Sequence, residues 1–532
     1  MTTNDEDRPS LPEYRDNPFI NRLPDLLATD ESVRAMIDLP THSDAERRYP
    51  SHFRCHCLLR LSNYFDPLER QIEFQLLVSM LIRQGYLGRD PTTTDFLHRL
   101  HNDHERVLRR DIQARLHPVE STASGIAMIG VSGIGKTRSV QRVLRLYPQI
   151  IRHTEPFSLD QVVWLRLECP HKGSAKQLCI SFFQEMDKLF HERFRAKYGR
   201  SRSSLEGMLI DMAALADRYA LGLLVVDEIQ HLTRASGANR EDLLNFLVAL
   251  VNTIGIPVLI IGTPAALPVL QGALRQARRG SGLGNLYWPR FENDATWNYF
   301  VERMWRFQWT REPTPLTDEL RAVLYEESQG IIDLAVKLYM MTQLHVILRG
   351  AMAGRESDER LTVALFRHVA KKSFMLVKPM IDALKRNDME GLAEFDDLKP
   401  LSDHVNRVFQ DAIARLALRE AAGTAPSPQA TVAAADGEAT ILAALAQAKS
   451  ENPGLGPLEL MAVVAEKLQG HKPEVPPAKP YQARPKKAPT TQPSDPNDLR
   501  VIVASAASAE ISGYDALLAA GAIKPPLRDV AA

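Results

Sequence analysis

Eight consecutive residues constrain this chain more than any other feature. Gly130-Val131-Ser132-Gly133-Ile134-Gly135-Lys136-Thr137 fits G-x-x-x-x-G-K-[ST] without deviation. The apolar run Gly125–Ile129 precedes it, and the amphipathic segment Arg138–Leu146 follows. Strand, loop and helix in that order are the setting in which such a loop cradles phosphate. Glycines let backbone N–H groups turn inward onto phosphate oxygens, and the helix N-terminus adds partial positive charge. Lys136 can reach the β- and γ-phosphates, and the Thr137 hydroxyl can coordinate Mg2+.

A second motif answers the first. Leu223-Leu224-Val225-Val226-Asp227-Glu228 is an apolar strand ending in two carboxylates. Asp227 is placed to hold Mg2+ and Glu228 to activate the attacking water. An acidic helix cap after a strand is the plainer alternative. A third apolar run, Pro257–Ile261, leads into Gly262-Thr263-Pro264. Thr263 is the candidate contact for a γ-phosphate or lytic water, and a Thr-Pro turn is the competing reading. The expected cofactors are ATP and Mg2+.

The organisation is multi-domain, as 532 residues require. Residues 1–118 read as an N-terminal helical and interaction region, with helical spacing over Phe65–Gln84 and Thr94–Leu116. Residues 119–290 alternate buried strands (Gly125–Ile129, Val162–Leu167, Leu223–Val226, Pro257–Ile261) with helices, an α/β nucleotide-binding domain on a parallel sheet. The long interval from Lys136 to Asp227 predicts extra helices near 174–198 and 203–219. Residues 291–400 read as a helical lid with helices over Trp297–Phe307, Thr317–Glu327, Ile331–Leu348 and Glu359–Lys372. A helical, alanine-rich region (401–470), a proline-rich linker (471–497) and a docking segment (498–532) complete the chain, the tail being partly disordered. Helices are expected at 437–449 and 457–468.

Phosphate loop, Asp-Glu strand, polar-tipped strand and helical lid in this order resemble the AAA+ ATPase class. The resemblance implies a site between subunits, completed by a neighbour's arginine. Arg275, Arg278, Arg279 and Arg290 follow the third strand, and Arg278 and Arg279 are the first candidates, since a fixed charge suits a phosphoryl transition state. After Gly330, where a lid arginine is usual, the chain has Ile331-Ile332-Asp333, with Lys337 a turn further on as a substitute.

Several segments together resemble the TnsC/TniB group, the AAA+ regulators of TnsABC-class DNA transposons. They are Asn17-Pro18-Phe19-Ile20 with Leu23-Pro24, Gly85-Tyr86 with Arg89-Asp90-Pro91, Val226–Leu232, Ile260–Thr263, Gln276–Arg279 and Gly330–Leu338. The resemblance spans about residues 15–390. It implies a regulator that binds ATP, forms rings or helical filaments on double-stranded DNA, and links a target selector (TnsD/TniQ type) to transposase subunits (TnsA/TnsB type). Hydrolysis would serve as an assembly and disassembly switch. The tail would meet the transposase, and the N-terminal region or filament end the selector. A nucleotide-switched protein scaffold or signalling NTPase without DNA binding, and an initiator-like helicase loader, are the competing functions.

Net charge bears on the DNA reading. Lys plus Arg and Asp plus Glu are both 65, which excludes a uniformly basic binder but not a local track. Two tracks qualify: Lys172 and Lys176 after the second strand, and Arg193, Arg195, Lys197, Arg200 and Arg202 around Phe194 and Tyr198. A solvated charged face is the plainer reading of either. Cys55, Cys57, Cys169 and Cys179 are too few for a disulfide scaffold and suit a reducing cytoplasm, and the family resemblance implies a bacterial one. Zinc at His52, Cys55, His56 and Cys57, or at His98, His101 and His104, is a poor match to ligand spacing. The charge-free stretch Leu243–Leu274 is broken by three prolines and reads as buried helix and strand rather than membrane span.

Overall fold

The computed structural model describes residues 11–423, outside 120–121, 156, 171–173, 201, most of 235–254, 268–285, 356–357, 376 and 389–398. Beyond 423 it describes Ala519 alone, so the expected tail helices, the linker and the docking segment lie outside the described residues. All the described residues but Ala519 belong to the unit ending at Ala425. Among the described residues, no helix is long and apolar enough to cross a membrane.

A five-stranded sheet carries the first unit. In chain order its strands are β1 (Gly125–Gly130), β4 (Trp164–Glu168), β5 (Leu223–Asp227), β6 (Val258–Gly262) and β7 (Leu286–Trp288). They lie in the order β4-β5-β6-β1-β7, and every pair is parallel. Strand residues alternate between the two faces, as a pleat demands. Ile126, Met128, Leu223, Val225, Leu259 and Ile261 enter one core, and Ala127, Ile129, Leu224, Val226, Val258 and Ile260 the other. Sheets buried on both faces read as unbroken apolar runs, which is why these strands stand out in the sequence.

Two features differ from expectation. The run Val162–Leu167 is not one strand: β3 (Leu159–Val162) pairs antiparallel with β2 (Ile150–His153), and β4 begins at Trp164. The N–H of Val163 at the break is taken by Gln149. An apolar run carries no signal for a change of partner, so periodicity merged the two. β7, three residues long, is too short to register as a pattern, yet it completes the sheet beside β1.

The lid helices start where capping chemistry places them. Side chains of Asp294, Thr317 and Thr362 accept the N–H groups of Trp297, Leu320 and Leu365 at the heads of Ala295–Trp305, Asp318–Ser328 and Val363–Ser373. Each such cap contributes about 1 kcal/mol. The long helix Ile332–Ala353 begins after Gly330, whose φ of +73° is open to glycine. A Cβ there would lie 2.1 Å from Phe291 O, so the head of this helix meets the segment that follows β7 at a backbone contact no other residue fits.

The N-terminal helices share the first core rather than standing apart. Tyr86 OH donates to Ala220 O (2.8 Å), Arg89 Nη1 to Leu221 O (2.6 Å), and Asn17 Nδ2 to Tyr86 O (2.8 Å). Phe19 and Tyr86 are fully buried. The residues that carry the N-terminal part of the family resemblance therefore brace helix Glu69–Leu87 against the sheet.

Candidate nucleotide site

Strand order places the chemistry. Because β6 lies between β1 and β5, the tip of β6 sits between the phosphate loop and the Asp-Glu pair. Ser132, Gly133, Gly135, Lys136, Thr137, Asp227, Glu228 and Thr263 all line one cavity of about 460 Å³. The loop opens helix Lys136–Leu144 through Gly135, at φ +96°. Val131 and Ile134 turn their side chains into the core, and Gly130 ends β1, so these three serve the loop's shape. Arg70 braces the loop from behind: its Nη2 donates to Ile134 O (3.3 Å), and its guanidinium lies 3.5 Å from the Phe291 ring centre.

Lys136 is almost fully buried. Its Nζ donates to Gly130 O (2.6 Å) and Val131 O (3.0 Å). Burial lowers its pKa to about 8, and the nearby Glu228 and Asp227 carboxylates oppose that shift. Asp227 is 1% exposed and fully engaged. Its Oδ2 accepts from Thr137 Oγ1 (3.1 Å) and Arg166 Nη2 (2.8 Å), and its Oδ1 accepts from the Glu228 N–H (2.9 Å). A hydroxyl and a carboxylate oxygen at this separation are the hard donors Mg2+ prefers, so the pair fits the ion, with phosphate oxygens and water filling the remaining positions.

Glu228 follows with φ +58°, a left-handed conformation that non-glycine residues seldom adopt. The turn directs its carboxylate to the cavity, where Gln230 Nε2 donates to Oε2. Gln230 Oε1 accepts the Thr263 N–H (3.2 Å), so one buried amide ties the acidic strand to the tip of β6. Thr263 Oγ1 is buried and makes no hydrogen bond among the described residues, which leaves a polar atom suited to a ligand oxygen. The arrangement supplies a cation for phosphates, donors for a metal, and a carboxylate able to take a proton from water.

Sequence reasoning missed Gln230, Arg166 and Arg70. Arg166 and Arg70 act from a neighbouring strand or a distant helix, and no local motif marks them; Gln230 lies within Val226–Leu232, but its tie to Thr263 leaves no local signal. It also missed the cavity's other walls: Tyr64, Asp66 and Gln71 from the N-terminal region, and Ser402, Val405 and Asn406 from helix Lys399–Gly423.

The remaining candidates are placed as follows. Lys337 Nζ donates to Asp333 and to Ser402 Oγ (2.7 Å) at the cavity wall. Arg290 donates to Gln329 Oε1 (2.7 Å) and Asn387 Oδ1 (2.8 Å), inside the same chain. Arg275, Arg278, Arg279 and Lys172 lie outside the described residues. Lys176 is half-buried in the first turn of helix Ala175–Phe190. Arg193, Arg195, Lys197, Arg200 and Arg202 are exposed around the short helix Phe194–Tyr198, which is anchored by buried Phe194 and by Asp187 accepting the N–H groups of Phe194 and Arg195. Burial pushes the Cys55, Cys169 and Cys179 thiols up to about 12, and no cluster of three or more His, Cys, Asp or Glu ligands occurs among the described residues.

With this geometry in place, comparison with known proteins gives a match for part of the chain. Residues 119–270 match the family described as AAA domain. Together with the strand order and the phosphate loop, that match makes the fold an AAA+ P-loop fold with a parallel five-stranded sheet. No curated protein matches the chain. Among solved structures it is similar to a Walker-type ATPase of Pyrococcus abyssi (15% identity, 54% of this chain and 76% of that one, TM-score 0.31). It is also similar to the ORC1 protein of Aeropyrum pernix in complex with DNA (12%, 62% and 85%, 0.33) and to Drosophila ORC bound to DNA (13%, 73% and 87%, 0.35).

Proposed function

We propose that this chain is an ATP-hydrolysing regulator of DNA transposition that assembles on duplex DNA and couples a target selector to transposase subunits. The nucleotide chemistry rests on one observation: Lys136, Thr137, Asp227, Glu228 and Thr263 line a single cavity within an AAA domain. In this reading Lys136 holds the β- and γ-phosphates, Thr137 and Asp227 hold Mg2+, Glu228 accepts a proton from the attacking water, and Thr263 contacts the γ-phosphate or that water. Hydrolysis changes the assembly's hold on DNA, with Arg278 and Arg279 the candidates to complete a neighbour's site.

The transposition role rests on the family resemblance of residues 15–390. The DNA contact rests on the exposed arginines at 193–202, with Lys172 and Lys176 as a second track. Imaging the protein on duplex DNA with a non-hydrolysable ATP analogue tests it. Filaments or rings that need both DNA and nucleotide are expected, and a protein that stays monomeric under those conditions rejects the reading. An initiator-type loader would assemble likewise but would recruit a helicase, so capture of purified transposase subunits by the nucleotide-bound form separates the two.

A further inference from the structure

The cavity's lining is of two chemical kinds. Lys136, Thr137 and Asp227 are polar and charged. Phe300, Ile332, Val336 and Met340 of the lid and Val405 of helix Lys399–Gly423 are apolar. That helix buries Leu401, Val405, Phe409, Ala412 and Leu416, a stripe at three- and four-residue spacing, against helices Ser51–Leu58 and Ile332–Ala353. Its first turns thereby bring Ser402 and Asn406 to the cavity wall beside Val405.

A relay of bonds joins this helix to the phosphate loop. The Asp333 N–H donates to Gly133 O (3.1 Å), the Asp333 carboxylate accepts from Lys337 Nζ, and the same Nζ donates to Ser402 Oγ (2.7 Å). Loop, lid and helix therefore meet around the same space. Resting on the nucleotide reading above, we infer that helix Lys399–Gly423 is a wall of the nucleotide site: Val405 packs on the base, and Asn406 and Ser402 give polar contacts to the base or ribose. Occupancy of the site and seating of the helix are then one linked equilibrium, because a ligand that touches the seated helix stabilises that state.

Hydrogen exchange of the full chain, with and without the non-hydrolysable ATP analogue, tests this. Amides in 399–423 are expected to slow, by up to about 100-fold at ligand 100 times above its Kd if they exchange only from the ligand-free state. Asn406→Ala, at an exposed position on the cavity rim, is expected to weaken analogue binding about fivefold, as the loss of one hydrogen bond does. Gln410→Ala, exposed and off the cavity wall, is expected to leave binding unchanged. If wild-type protein binds the analogue while exchange in 399–423 and the affinity of Asn406→Ala stay as they were, the inference is overturned and the nucleotide reading stands. If wild-type protein binds no nucleotide, both fall.

Discussion

In the nucleotide cavity, charge and polarity are almost out of water and tightly held, whereas in the segment 193–202 they are solvated. Lys136 has two carbonyl partners, Asp227 has three donors, and Gln230 bridges Glu228 to Thr263. Arg193, Arg195, Lys197, Arg200 and Arg202 stand exposed on a five-residue helix and its flanks. A buried charge without partners costs several kcal/mol, so the cavity must be fully wired before ligand arrives. An exposed charge costs little to keep and contributes at most about 1 kcal/mol in a single ion pair. The hydrogen bonds that hold the cavity's charges are thus made within one copy of the chain, and the proposed site leaves an arginine for a neighbour to supply. In the proposed assembly the basic segment would gain strength by repetition across copies, in keeping with a net charge of zero.

The sharpest way to break this contrast is Glu228→Gln. The amide keeps the shape but cannot take a proton, so hydrolysis is expected to fall about 10²- to 10⁴-fold, while nucleotide binding is retained. Phosphate release against a binding titration reads both, and unchanged hydrolysis removes Glu228 from its role. Lys136→Ala comes next, with analogue affinity expected to drop about 10- to 100-fold, the size of a lost charge-assisted hydrogen bond. The lysine carries its own pH signature. Its pKa is about 8 in the free protein, so the charge is present at pH 7 and lost as pH rises through 8. Wild-type affinity is expected to fall above pH 8 by up to about tenfold per pH unit, a fall that Lys136→Ala should not show. Smallest at any one salt concentration is Arg193→Ala with Arg195→Ala. Nucleotide affinity should hold, and the slope of log affinity for duplex DNA against log salt should shrink by about 2. A loss of nucleotide binding in that variant would mean the two regions are not independent.

The same contrast explains what could be read in the sequence. The phosphate loop, the Asp227-Glu228 pair and the lid helices are local signals: glycine spacing, an apolar run with an acidic end, a Thr or Asp cap before an amphipathic turn. They fall within a few residues of the expected bounds, as with Asp318–Ser328 for Thr317–Glu327. What escaped depends on juxtaposition. Arg166 reaches Asp227 from the adjacent strand, Arg70 reaches Ile134 from the N-terminal helices, and Val405 reaches the cavity from far along the chain. Strand register and helix seating set those meetings, and neither leaves a mark in a short window of sequence. The switch of partners at Val163 was missed for the same reason.

The left-handed backbone at Glu228 has an evolutionary consequence. Glycine would occupy that conformation with less strain, by about 1 kcal/mol, and asparagine is also at home there. Neither can take a proton from water. With Glu228 in its proposed role, selection for stability and selection for hydrolysis would pull this codon in opposite directions. A lineage that stopped needing turnover would be free to lose the carboxylate and become more stable by doing so, keeping the loop and Lys136 as a nucleotide sensor. The residue at this one position would then record whether a descendant still spends its ATP.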